Sequence, residues 1–92
     1  MPYSVLFTEK ALKYLKKMDR YQAKLIISWI KKNLEGCYNP GFSGKALTGT
    51  KKEYWRYHLG NYRLIADIQD EKIVVRIIAV GHRKDIYKKN SF

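Results

Sequence analysis

The chain opens with Tyr3, Val5 and Phe7 alternating with Pro2, Ser4 and Leu6, the period-two pattern of a short strand. Thr8 then stands where a helix N-cap is wanted, with Glu9 in the turn beyond it. Leu12, Leu15 and Met18 recur at helical spacing among Lys10, Lys13, Lys16 and Lys17, which predicts an amphipathic helix, basic on its outer surface and ending near Met18. Asp19 followed by Gln22 resembles a capping box, and Leu25, Ile26, Trp29, Ile30 and Leu34 give a broader apolar stripe that Gly36 closes. So short a connection predicts an antiparallel helix hairpin.

From Gly36 to Lys52 no apolar period survives, and Asn39, Pro40, Gly41, Gly44 and Gly49 punctuate a long loop. Loops of this length in compact domains tend to be functional or mobile. Strand patterns follow at Tyr54 to His58, Tyr62 to Gln69 and Lys72 to Val80, turned by Leu59, Gly60 and Asn61 and then by Asp70 and Glu71. The expected fold is α+β: an N-terminal strand, a helix hairpin packed on a mostly antiparallel four-stranded sheet, and a short C-terminal helical segment. With 92 residues the chain is read as one domain over 1–92.

Composition narrows the functional classes. The lone Cys37 excludes a disulfide framework within the chain, no apolar run reaches the length of a membrane span, and the start lacks the pattern of a signal peptide. A cytoplasmic location is expected. Net charge is +11, from 19 Lys and Arg against 8 Asp and Glu, and the excess is spread along the whole chain. Solubility needs only a few charges, so an acidic partner is implied: nucleic acid, an acidic protein or an anionic surface. A membrane surface is the weakest of these, because the first helix has no large aromatic anchor beyond Tyr14.

Strand alternation says where that charge converges. If Leu64, Ala66 and Ile68 lie under the helices, Arg63 is on the opposite, open face, where Arg56 and His58 can join it without being buried. On the last strand Ile73, Val75, Ile77 and Ala79 form the helix-side set, which puts Arg76 on the open face as well. Beyond the sheet, Arg83 and Tyr87 are four apart and share one side if the chain turns helically there. Any one of these cations alone reads as a solvated charge, and the aromatics Tyr54, Trp55, Tyr57 and Tyr62 read as packing residues. Together with Lys45, Lys51 and Lys52 on the adjacent loop they would repel one another, and an anionic ligand resolves that conflict. No phosphate-cradling Walker loop and no metal-spaced His, Cys and carboxylate set occurs, so metal-dependent nucleolysis is disfavoured and no cofactor is expected. Cys37 has no activating neighbour that would make it a nucleophile.

The order of elements, with the stretches Trp55-Arg56-Tyr57-His58-Leu59-Gly60-Asn61-Tyr62-Arg63 and Val80-Gly81-His82-Arg83-Lys84-Asp85-Ile86-Tyr87, resembles the RelE/ParE superfamily of bacterial toxins over essentially the whole chain. The aromatic-basic strand paired with that ending resembles the RelE-like branch in particular. The resemblance implies an mRNA endoribonuclease that acts on message in the ribosomal A site without a metal. It also implies neutralisation by an acidic RelB-like antitoxin and allows a toxin–antitoxin heterotetramer. By motif position it implies that Arg56, His58, Arg63, Arg83 and Tyr87 are catalytic, with Arg56 and His58 standing where enterobacterial RelE has lysines.

Metal-free cleavage by the 2′-hydroxyl on its neighbouring phosphate needs a base, support for the added negative charge and a proton for the leaving 5′-oxygen. His58 suits the base, with His82 as its rival or as an RNA contact. Arg63, Arg83 and Arg56 suit the phosphate, and Tyr87 suits stacking or proton transfer. Lys45, Lys51, Lys52, Arg76 and His82 are expected to bind substrate. Two other readings remain at this stage: a ParE-like inhibitor of DNA gyrase, which shares the fold without the catalytic set, and an RNA-binding module without chemistry.

Overall fold

In the computed structural model the described residues are 2–42, 44–46 and 54–84. They form β1 (Ser4–Phe7), α1 (Glu9–Lys17), α2 (Arg20–Asn33), β2 (Lys45–Ala46), β3 (Tyr54–Leu59), β4 (Tyr62–Gln69) and β5 (Val74–His82). The sheet order is β1-β5-β4-β3-β2, with β1 parallel to β5 and the other pairs antiparallel. This is the expected α+β arrangement with one addition. The expected loop contributes a two-residue edge strand, β2, which makes five strands where four were expected.

The helices start where their caps were read. The Thr8 hydroxyl accepts the Ala11 N–H at 3.2 Å, and the Asp19 carboxylate accepts the Gln22 N–H at 3.2 Å. Most of each expected stripe faces the core, with Met18 and Trp29 packed against its buried members, and one residue of each does not. Ala11 and Leu15 of α1 and Ile26 and Ile30 of α2 are buried, whereas Leu12 and Leu25 are 42% and 48% exposed. On α1 the buried pair is Ala11 and Leu15, four apart and so on one face of the helix. α2 ends at Asn33, and Gly36 lies beyond it at φ +77. There the chain turns back so that the Gly36 N–H reaches the Tyr3 carbonyl and the Tyr3 N–H reaches the Cys37 carbonyl, each at 2.8 Å. A carboxylate oxygen of Glu35 takes the Val5 N–H at 2.9 Å. Residues 35–37 thereby cover part of the outer edge of β1, an edge that would otherwise invite strand pairing.

The core lies between the helices and one face of the sheet, with Tyr57, Leu64, Ala66, Val75, Ile77 and Val80 packed on Ala11, Leu15, Ile26, Ile30 and Leu34. On β5 the expected alternation fails at one point. Ile65 pairs with Ala79 and Ala66 with Ile77, so Ile78 is the extra residue of a β-bulge. The bulge changes the phase of the strand. Val80 enters the core cluster, and Ala79, expected on the helix side, lies opposite Ile65 on the other face. The Ile78 carbonyl is taken by the Thr8 hydroxyl at 3.0 Å, so one side chain caps α1 and satisfies the bulge. The strand also starts later than expected, at Val74, because the turn runs from Gln69 to Ile73, whose φ is 55. At the far end β5 includes Gly81 and His82, which were read as the start of a helical segment. Of the rest of that expected segment, Arg83 and Lys84 are a turn, and residues 85–87 lie outside the described residues. Among the described residues no helix is long and apolar enough to cross a membrane.

Candidate functional site

Residues directly opposite in an antiparallel pair point to the same face, so the register places side chains without further assumption. Lys45 is opposite Arg56, Arg56 opposite Ile65, His58 opposite Arg63, and Arg63 opposite Gly81. Arg56, His58 and Arg63 alternate with the core residues Tyr57 and Leu64 and therefore face away from the helices. Lys45, Arg56, His58 and Arg63 form a continuous basic surface across β2, β3 and β4. Ile65 and Ala79 share this face yet are buried, so the surface is not uniformly polar.

Each group is held in a particular way. The Nη1 of Arg63 donates to the carbonyls of Gly60 at 2.8 Å and Tyr62 at 2.9 Å. The β3–β4 turn thus anchors one nitrogen of the guanidinium and leaves the Nε–Nη2 edge for an anion. His58 is exposed, and its pKa lies below the ordinary histidine value, through partial desolvation first and then repulsion from Arg63, Arg56 and Lys45. A histidine so placed is neutral at pH 7 and surrounded by cations, a combination that suits a base working beside a phosphate. Arg83 is exposed just past β5, and its backbone N–H reaches the Asn61 carbonyl at 2.7 Å. It belongs to the turn that follows β5, one residue beyond the last paired position of the strand.

Two expected substrate contacts have other engagements. Arg76 is on the open face, but its Nη2 lies 3.2 Å from a carboxylate oxygen of Asp67, which also accepts from Gln69 at 3.0 Å. Its charge is compensated inside the sheet, away from the His58 end. His82 is on the helix side. Its ring meets Tyr62 edge-on with centroids 5.8 Å apart, and it lines a groove of about 530 Å³ with Leu25, Trp29 and Leu59. The structure therefore does not bring His82 to the basic surface as a second base or RNA contact, because after the bulge its position in the alternation belongs to the helix face. Lys51, Lys52 and Tyr87 lie outside the described residues.

One feature of the site escaped the sequence reading. Tyr57, read as a packing aromatic, is fully buried and donates its hydroxyl to the Pro40 carbonyl at 2.6 Å. The only trace of this in the sequence is the run of glycines, Gly41 and Gly44, in the loop that meets the aromatic strand.

A family model described as the ParE toxin of the type II toxin–antitoxin system parDE matches residues 5–87. A RelE-like toxin protein of Escherichia coli is 32% identical over 90 residues, covering 95% of this chain and 92% of that protein. Toxin RelG of Mycobacterium tuberculosis is 33% identical over 89 residues, covering 97% of this chain and 100% of that one. Among solved structures, the toxin–antitoxin complex RelBE2 of M. tuberculosis contains a chain that superposes with a TM-score of 0.81 at 30% identity, covering 92% of this chain and 95% of that one. The match spans the helix hairpin, the sheet and the basic surface, and the chain belongs to the RelE/ParE family as a toxin of the type II toxin–antitoxin class.

Proposed function

We propose that this toxin is an endoribonuclease that cuts messenger RNA in the ribosomal A site, in the cytoplasm and without a metal. The observation that carries the reading is the pairing of His58 with Arg63 across β3 and β4, flanked by Arg56 and Lys45. In the reaction a 2′-hydroxyl loses its proton to His58 and its oxygen bonds to the adjacent phosphorus. The bond from phosphorus to the 5′-oxygen then breaks, leaving a 2′,3′-cyclic phosphate and a 5′-hydroxyl. Arg63, Arg83 and Arg56 stabilise the extra charge on the phosphoryl oxygens, which guanidinium groups do while remaining protonated. Tyr87 stacks on a base or helps deliver the leaving-group proton.

The partner that silences the toxin is an acidic RelB-like antitoxin. The M. tuberculosis relative is a toxin–antitoxin complex, and a +11 chain calls for a neutralising protein of opposite charge. The deciding experiment is induction in cells with primer-extension mapping of message ends, where codon-aligned cuts within reading frames are expected. The family model carries the name of ParE, and that favours one second reading, a gyrase inhibitor. Intact messages together with inhibited DNA supercoiling would establish it. Intact messages that remain bound by the protein would instead mark an RNA-binding module without chemistry.

A further inference from the structure

β2 has only two residues, paired as Lys45 with Arg56 and Ala46 with Trp55. So short an edge strand makes too few ladder hydrogen bonds to hold its own place, and edge segments with few contacts open easily. Something else has to fix it. The chain leading into β2 is bracketed to the helix side of β3. The Tyr57 hydroxyl holds the Pro40 carbonyl at 2.6 Å, and a Cβ on Gly44 would fall 2.7 Å from the Tyr57 ring and 2.9 Å from the Arg56 carbonyl. A Cβ on Gly41 would likewise meet the Trp55 ring at 2.9 Å. The Tyr57 ring is itself backed by Trp29, with centroids 5.6 Å apart. A phenylalanine would fill the same space, so the hydroxyl adds a specific tie and not volume.

We propose that Tyr57 is a positioning residue, which through the Pro40 carbonyl and Gly44 holds β2 so that Lys45 stands opposite Arg56 on the basic face. Tyr57 reaches the core side of the sheet and Lys45 the other, so the tie acts through the strand edge and not by contact with a ligand. That Lys45 meets RNA rests on the function proposed above; the bracket itself does not.

The test uses Tyr57→Phe, Lys45→Ala and the double variant, with two measurements. The first is an NMR titration of His58, which is faced by Arg63 from β4, Arg56 on its own strand and Lys45 from β2. Lys45→Ala removes one repelling charge and raises the His58 pKa. Tyr57→Phe raises it too, and the double variant goes no higher than Lys45→Ala alone. The second is the salt dependence of binding to a short single-stranded 2′-O-methyl oligoribonucleotide, where loss of one phosphate contact lowers the logarithmic slope by about 0.7. Both single variants lose that amount and the double variant loses no more. A Tyr57→Phe protein whose His58 titrates as in the wild type overturns the proposal, as do additive losses in the double variant. Failure of the wild type to bind the oligonucleotide overturns the RNA reading, while the His58 titration still decides on the bracket. Should Tyr57→Phe not fold, Gly44→Ala presses on the same ring from the loop side, and it must raise the His58 pKa in the same direction.

Discussion

His58 carries the strongest prediction at the scale of a single residue, because its surroundings set the sign. Its folded pKa lies below the ordinary histidine value, so the ring is neutral at pH 7 and protonates only as the pH falls through that lower value. Cleavage of ribosome-bound message should therefore sit on a plateau at neutral pH and decline on the acid side, below about pH 6.5. Replacing Arg56 with Gln removes a repelling charge, and NMR should then show His58 titrating at higher pH. A pH profile that declines toward neutrality from the acid side would remove His58 as base. Arg83→Ala and Tyr87→Phe should each slow cleavage by about 10² to 10⁴-fold while thermal unfolding stays unchanged. Wild-type cleavage by both would show the catalytic assignment to be wrong. Residues of this kind were legible because alternation along Arg56-Tyr57-His58 and Tyr62-Arg63-Leu64 is unbroken, and period two alone settles their face. Tyr57 was not, because in the strand pattern a tyrosine that only packs reads the same as one whose hydroxyl reaches a carbonyl 17 positions away.

At the scale of elements, the junction of β1, α1 and β5 turns on Thr8. Its hydroxyl accepts the Ala11 N–H at the start of α1 and donates to the carbonyl of Ile78, the bulged residue. Thr8→Val keeps the shape and removes both bonds. It should lower stability by about 1 to 3 kcal/mol, seen as a reduced urea midpoint with an unchanged slope. A variant as stable as the wild type would mean that neither bond matters. The cap was readable from Thr8 and Glu9, but the bulge was not. Ile77, Ile78, Ala79 and Val80 are all apolar, so a shift of phase among them leaves no mark in the pattern, and Ala79 was placed by extrapolating through it. The two-residue β2 was hidden for a related reason. Its place depends on ties to β3 and not on any strand propensity of its own, and the glycines around it read as loop.

At the scale of the whole molecule, the apolar side chains exposed on the helices distinguish the two partners that this toxin is proposed to meet. RNA contacts made by Lys45, Arg56, Arg63 and Arg83 would release counterions with a logarithmic salt slope of about −2.8 for four phosphates, a loss of about 50-fold between ~50 and ~200 mM salt. A protein partner has more to gain from the other surfaces. Leu12, Tyr14, Tyr21 and Leu25 are exposed on the helices, and large exposed apolar groups of this kind are the usual material of protein interfaces. An acidic antitoxin can cover some of these while its carboxylates meet the basic face, so part of its affinity does not depend on salt. Affinity for the antitoxin should therefore fall less steeply with salt than affinity for RNA, in parallel titrations of the same toxin preparation. Equal slopes would mean that the antitoxin binds through charge alone and leaves the apolar helix residues uncovered. A shallower slope, steepened by Leu25→Lys without change in the RNA slope, would place the antitoxin across α2, outside the surface that is proposed to cut RNA.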